Sequence, residues 1–136
     1  MPDSQLNSDL YLRGIEMFNR QDFFEAHEVL EDLWRPSSGP RKKLLQGLIQ
    51  TAVAFHHWSK GNSRGARSLL SRGIANLEGH SANFGGIRLD LLLDSLRLWQ
   101  QAMRHDHPAP NFPEIVFFQE ATKAEKVPAR IPPSLP

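Results

Sequence analysis

The residues best suited to chemistry lie in one segment, His27-Glu28-Val29-Leu30-Glu31-Asp32-Leu33-Trp34. His27 and Glu31 are four positions apart, so on a helix they lie one turn apart and can bind the same ion or ligand. A His-Glu pair with a second ligand at this spacing is similar to the zincin motif, in which the intervening glutamate acts as a base. In such a site Glu28 would be the catalytic residue, because it would activate a metal-bound water.

A histidine of the following helix could complete this set. On a helical wheel His56 falls among the apolar positions of that helix. A buried imidazole without a partner costs roughly 1–3 kcal/mol. We therefore expect His56 to form a hydrogen bond with Glu31 or Glu28.

Three interpretations of these residues stay open: a buried hydrogen-bond network, a divalent metal site made by His27, Glu31 and His56, or a polar recognition pocket without chemistry. We favour a non-catalytic ligand- or protein-binding module with a polar His/Glu patch between helices two and three. The alternative is a metal-dependent hydrolase that uses the HExxE motif. No cofactor is expected, although a divalent metal is possible. The candidate ligand-binding residues are His27, Glu28, Glu31, Trp34, Gln46, Gln50, His56 and His57.

The length, composition and charge of the chain exclude several classes of function. A chain of 136 residues is long enough for one domain with its own core. Because it has no cysteine, disulfides, thiolate zinc sites and cysteine nucleophiles are excluded. The net charge of +1 supplies no strong field for nucleic acid or anionic lipid, and the only basic run is Arg41-Lys42-Lys43.

The beginning of the chain has neither the basic start nor the apolar stretch of a secretory signal, and no apolar run reaches membrane-spanning length. We therefore expect a cytoplasmic protein that uses no membrane and no nucleic acid. Its partner would be an unknown small ligand or protein, and a homo-oligomer is possible.

Apolar periodicity and helix-breaking residues predict five helices, at about residues 9–18, 23–35, 40–58, 63–77 and 89–103. Asp22, three residues before Glu25, is typical of a capped helix start. Pro36 and Gly61-Asn62 end the second and third helices. The predicted fold is all-α, a compact bundle of about five helices arranged as two successive hairpins plus a capping helix.

Proline separates the C-terminal tail from these helices. Six of the ten prolines lie between Pro108 and Pro133, and Pro136 is the last residue. We predict a helical domain over residues 1–104 and an extended Pro-rich tail over 105–136, partly packed on the domain. Residues 112–118 are apolar enough to lie on the body, whereas 127–136 is typical of a polyproline-like or disordered end.

A shift of 40 residues aligns the two predicted hairpins with each other, a period in the range of helical repeats such as tetratricopeptide repeats. Aromatic, capping and small apolar residues recur in the pairs Phe18 and Trp58, Asp22 and Asn62, Ala26 and Ala66, Leu30 and Leu70. The second hairpin has Arg67, Ser68 and Ser71 in place of His27, Glu28 and Glu31. A hairpin of this kind therefore does not require the motif, which must serve a neighbour or a ligand specific to the first hairpin.

Taken together, these motifs resemble a known family. The sequence Phe24-Glu25-Ala26-His27-Glu28-x-x-Glu31-x-x-Trp34, followed by Gln46-Gly47-Leu48-Ile49-Gln50, Gly61-Asn62 and Gly65-Ala66, resembles domain-of-unknown-function family 309. The similarity covers about residues 9–103. It implies a compact all-helical fold and a signature of His27, Glu28, Glu31 and Trp34, and it implies no activity.

Overall fold

Five helices make up most of the protein. The computed structural model describes residues 2–105 and 107–119, without the side chains of residues 2–8. The helices are α1 (Pro2–Asn19), α2 (Phe23–Trp34), α3 (Gly39–Ser59), α4 (Ser63–Leu77) and α5 (Leu89–His105). The predicted all-α fold is confirmed, and the only strand-like pairing in the described ranges is an isolated bridge between Ile87 and Phe117. The expectation for residues 127–136 lies outside the described residues.

Most helix boundaries match the sequence-based prediction to within one or two residues. The exception is α1, which begins at Pro2, seven residues before the predicted start at Asp9. The loop before α5 also contains a short 3-10 turn, Phe84–Gly86, that the sequence pattern did not reveal. None of the described helices is long and apolar enough to cross a membrane.

The helices form two hairpins, α1/α2 and α3/α4. Within each hairpin, a turn of the same geometry joins the two helices. The residue before each cap has a positive φ, 67° at Gln21 and 83° at Gly61. In each turn the amide of the cap residue, Asp22 or Asn62, donates to the carbonyl five residues earlier at 2.9 Å. The 40-residue repeat inferred from the sequence therefore has a structural counterpart in these turns.

The cap side chains differ between the two turns. Asn62 accepts a hydrogen bond from the amide of Gly65 at 3.0 Å, as a helix cap does. Asp22 occupies the same position but makes no capping bond. Its carboxylate instead lies 3.7 Å from the guanidinium of Arg20. The predicted position of the cap is correct, and the predicted capping interaction is wrong.

The positive φ at Gln21 gives a first prediction. The left-handed conformation disfavours side chains with a Cβ and is free for glycine. The turn of the second hairpin has glycine there, and a Cβ added to Gly61 would meet no atom within 4 Å, so only the backbone conformation opposes a side chain. We expect Gln21→Gly to raise the free energy of unfolding by about 0.5–1 kcal/mol and Gly61→Ala to lower it by about 1 kcal/mol. Urea unfolding of both variants checks this, and equal shifts of the same sign would contradict it.

Small residues allow the helices of each hairpin to approach closely. Ala26 and Ala66 are fully buried at equivalent positions of α2 and α4. At the α3/α4 crossing, a Cβ on Gly73 would lie 3.1 Å from the carbonyl oxygen of Gly47 and 2.7 Å from Oγ1 of Thr51. The Thr51 hydroxyl, the one buried polar side chain in the described core, donates to the Gly47 carbonyl at 2.8 Å.

An aromatic cluster lies at the centre of the core. Phe55 of α3 is in ring contact with Phe23, Trp99 and Phe112, with centroids 5.1–5.6 Å apart. Trp99 and Phe112 stack at 5.2 Å, and the Trp99 indole N–H donates to the carbonyl of Asn111 at 2.9 Å. Residues from the first hairpin, from α5 and from the tail therefore share one core.

The described part of the tail, residues 107–119, lies back on the body in extended form. The side-chain amide of Asn19 pairs with both backbone groups of Ile115, at 3.0 and 2.7 Å. The amide of Arg88 donates to the Val116 carbonyl, and the amide of Phe118 donates to the Gly86 carbonyl. These bonds fix the tail against the end of α1 and the loop before α5.

Candidate functional site

The signature residues at the start of α2 face outward. Phe24 is 46% exposed, although it is a large aromatic residue within the motif region. The ring of His27 lies 4.9 Å from the Phe24 ring, and that of His56 from α3 lies 5.2 Å away. His57 lies next to His56, with ring centroids 6.1 Å apart. An exposed phenylalanine bordered by imidazoles is therefore the centre of this surface, which we call the α2/α3 surface and which also includes Glu28.

His27 is held in place by its own helix. Its Nδ1 lies 2.6 Å from the carbonyl oxygen of Phe24, which can only accept, so Nδ1 carries the proton. This bond fixes the ring orientation, and Nε2 makes no hydrogen bond within the described residues. His27 therefore has one ring nitrogen available for a further hydrogen bond.

The predicted buried network of His56 is wrong. His56 is only partly buried, and no hydrogen bond joins it to Glu28 or Glu31. The contact of His56 with Phe24 shows that the end of α3 lies beside the start of α2. Glu31 is seven residues beyond Phe24 along α2, about 10 Å away at 1.5 Å per residue, which is too far for a direct bond to His56.

The carboxylates of the motif are likewise not joined to His27 or His56. Glu28 is exposed and makes no ion pair in the described structure. Glu31 and Asp32 both lie near Arg35, at 3.7 and 2.8 Å. These are exposed pairs within one turn, worth at most a few tenths of a kcal/mol. The polar patch predicted between helices two and three is therefore an open surface rather than a closed network.

Trp34 lies at the opposite end of α2 from Phe24. Lys42 of α3 places its ammonium 4.2 Å from the centroid of the Trp34 ring, a cation–π contact. The indole N–H of Trp34 is buried and has no acceptor among the described residues. Lys42 belongs to the basic run Arg41-Lys42-Lys43, and its role is partly structural because its ammonium group covers the Trp34 ring.

The glutamines do not join the motif. Gln50 accepts a hydrogen bond from Asn76 of α4 at 2.7 Å, so it faces the second hairpin. His57 is 3.3 Å from the side-chain amide of Asn62 in the α3/α4 turn. Gln46 is half-buried one turn before Gln50. A single pocket ringed by these residues together with Trp34 is not formed.

The metal alternative required His27, Glu31 and His56 to converge. Across the described ranges, no group of three His, Asp or Glu side chains is placed to hold a metal ion. The distance along α2 that separates Glu31 from His56 is the physical reason. The geometry of the described residues therefore gives this alternative no support.

Three groups with perturbed pKa values, Tyr11, Arg88 and Asp90, lie at the loop before α5. Burial raises the pKa of Tyr11 to about 12, against a smaller opposing effect of Arg41. The Tyr11 hydroxyl donates to the Gly85 carbonyl at 2.8 Å. A hydrogen bond from Arg88 lowers the pKa of Asp90. Tyr11 and the Arg88/Asp90 pair serve to hold the loop, and neither contacts the α2/α3 surface.

A second polar surface, between α4 and α5, was not predicted from the sequence. A groove of about 850 Å³ between α4 and α5 gathers four arginines that are scattered along the chain. Its lining side chains are Arg64, Arg67, Ser68, Leu70, Ser71, Arg72, Gln100, Met103 and Arg104. The 40-residue alignment, which placed Arg67 on His27 and Ser71 on Glu31, was the one signal that pointed to this face.

These features define a small all-helical domain made of two hairpins and a fifth helix, with Glu28 exposed and His27 half-buried on the first hairpin. Residues 11–69 match the model of a family described as a domain of unknown function, DUF309. The resemblance to that family is therefore confirmed over this range. The match ends within α4, so α5 and the tail lie outside it.

Two curated relatives are similar to this chain over stretches of comparable length. An uncharacterised protein of Aquifex aeolicus is 33% identical over 73 residues, which is 53% of this chain and 22% of the relative. The uncharacterised protein YpuF of Bacillus subtilis is 34% identical over 77 residues, 56% of this chain and 44% of the relative. The aligned part thus spans less than half the length of each of these relatives.

Proposed function

We propose that the protein is a non-catalytic binding module whose α2/α3 surface recognises a protein partner. The observation that carries this proposal is the outward placement of Phe24 between His27 and His56. Aromatic side chains that combine exposure with polar neighbours are typical anchors of recognition.

The second hairpin supports this interpretation. Its α4 has Arg64, Arg67 and Ser68 at the positions of Phe24, His27 and Glu28, and it keeps the same turn and the same buried alanine. The hairpin fold is therefore compatible with entirely different side chains at these positions. A role in binding explains their types better than a role in folding.

The charge of α2 indicates the chemistry of the partner. The helix contains Glu25, Glu28, Glu31 and Asp32 and no lysine or arginine. Among the described residues, Arg35, just after the helix, is the one cation that pairs with these carboxylates. A partner segment with an apolar side chain for Phe24 and basic residues around it fits such a surface.

The lengths of the relatives support the description of the protein as a module. A stretch of 73 to 77 residues aligns with this chain in proteins of which it forms 22% and 44%. A unit that occurs within chains of different length is typical of a domain that is combined with others. The cytoplasmic location stays a prediction from the sequence.

Site-specific photocrosslinking in cells tests the proposal. A photoreactive phenylalanine analogue at position 24 is expected to give a discrete crosslinked protein, and the same analogue at Leu98, which is 62% exposed on α5, is the matched control. Glu28→Lys should reduce the crosslink by about tenfold, because it reverses a charge at the rim of the surface. The variant should change the free energy of unfolding by less than about 0.5 kcal/mol, as exposed substitutions do.

Two outcomes would overturn the proposal. One is a crosslink at position 24 that is unaffected by Glu28→Lys or equally strong from position 98. The other is a rise in melting temperature with zinc, manganese or iron that Glu31→Ala abolishes, which would favour the metal-dependent hydrolase instead.

A further inference from the structure

We propose that the groove between α4 and α5 is an anion site that binds a small organic phosphate. This groove is formed by the second hairpin and by α5, on different helices from Phe24 and His27. The proposal is therefore independent of the function proposed for the α2/α3 surface.

Four guanidinium groups share the groove, and none of them is paired with a carboxylate among the described residues. The ion pairs of the described residues involve Arg20, Arg35, Arg88 and Arg97. None involves Arg64, Arg67, Arg72 or Arg104, which line the groove. Clustered like charges repel one another, and an anion that binds among them relieves this repulsion.

Neutral donors accompany the arginines. The hydroxyls of Ser68 and Ser71 line the same groove. They are held by weak bonds only, since Arg72 reaches Ser68 at 3.3 Å and Gln100 reaches Ser71 at 3.3 Å. Guanidinium groups bind phosphate oxygens in a bidentate manner, and hydroxyl and amide groups donate to the remaining oxygens. The set of donors thus fits a phosphate better than a single carboxylate.

The dimensions and the floor of the groove indicate a small molecule. Its volume of about 850 Å³ lies within the range of small-molecule pockets. The buried side chains of Leu70 and Met103 provide an apolar floor beneath the arginines. A ligand with a phosphate group and a compact organic part would contact the cationic rim and the exposed edge of Met103, whereas Leu70 is fully buried beneath.

The repeat shows that the cations are not a requirement of the hairpin. At the equivalent positions, α2 has Phe24, His27 and Asp32 in place of Arg64, Arg67 and Arg72. Two helices with the same turn and the same buried face therefore carry opposite charges on their outer faces. The arginines of α4 are best explained by a negatively charged ligand.

Calorimetric titration with inorganic tripolyphosphate tests the site on the full chain, with sodium sulfate at equal ionic strength as the reference. We expect tripolyphosphate to bind and sulfate to bind at least about tenfold more weakly, because several guanidinium groups engage several phosphate groups. The double variant Arg67→Gln/Arg104→Gln should weaken tripolyphosphate binding by about tenfold or more. Arg97→Gln removes the same charge from α5 outside the groove and should leave the affinity within about twofold.

The melting temperature of each variant without probe verifies that the fold is intact, since all three arginines are exposed. Equal affinities for tripolyphosphate and sulfate, or equal losses in the double variant and in Arg97→Gln, would overturn the proposal. Binding of a 20-nucleotide single strand that is tighter than that of tripolyphosphate and depends on Arg67 and Arg104 would also overturn it, and would assign the groove to nucleic acid.

Discussion

Phe55→Ala is expected to lower the free energy of unfolding by about 3–5 kcal/mol, the range for deleting a fully buried aromatic side chain. Phe55 is completely buried and contacts the rings of Phe23, Trp99 and Phe112. Its removal leaves a cavity between three segments that are distant in sequence. Because the domain is small, such a loss is a large part of its total stability.

Urea unfolding followed by circular dichroism measures this loss. Phe24→Ala is the matched control, since Phe24 is 46% exposed on the neighbouring helix and its removal opens no cavity. The control should change the free energy of unfolding by less than about 0.5 kcal/mol. A loss below about 1.5 kcal/mol for Phe55→Ala would show that the aromatic cluster is loosely packed.

The second large effect is expected at the crossing of α3 and α4. A Cβ at Gly73 would lie 3.1 Å from the carbonyl oxygen of Gly47 and 3.3 Å from the amide nitrogen of Thr51, and backbone atoms cannot move aside cheaply. Gly73→Val adds two further methyl groups to that contact and should cost about 3 kcal/mol, because overpacking outweighs the small gain in helix propensity.

Ala75→Val is the control for this variant, since Ala75 is exposed on the same helix. It should cost only about 0.5 kcal/mol, which is the difference in helix propensity. Thermal unfolding of both variants gives the comparison. Equal shifts in melting temperature would mean that the close approach of the two helices is not required for stability.

The helices could be predicted because their signals are local. Apolar periodicity, Pro36 and Gly61-Asn62 set boundaries that the structure reproduces within one or two residues from α2 onward. The start of α1 was less predictable, because residues 2–8 contain few apolar residues from which a periodicity can be read.

The site was less predictable because a helical wheel gives the direction of a side chain around the helix axis and not its position along that axis. The wheel placed His56 on the side of α3 that faces the core, whereas the structure leaves it only partly buried. It could not show that His56 lies at the level of Phe24, about two turns of α2 away from Glu31. Whether two side chains are in contact depends on both their directions around the helix axes and their positions along them.

The arginine groove depends on tertiary structure even more strongly. Arg64, Arg67 and Arg72 are interleaved with serine and leucine along α4, so no basic run appears in the sequence. Arg104 joins them only because α5 packs beside α4. The net charge of the chain gives no indication of such a local concentration.

The shared aromatic core has a consequence for how the chain folds during synthesis. Residues 11–69, the part that matches the family, contain Phe23 and Phe55 but not Trp99 and Phe112, which cover them. Both hairpins therefore leave the ribosome with their central aromatic side chains still accessible to water or to chaperones. The core is closed only when Phe112 has reached Phe55 and the backbone of Ile115 has reached Asn19.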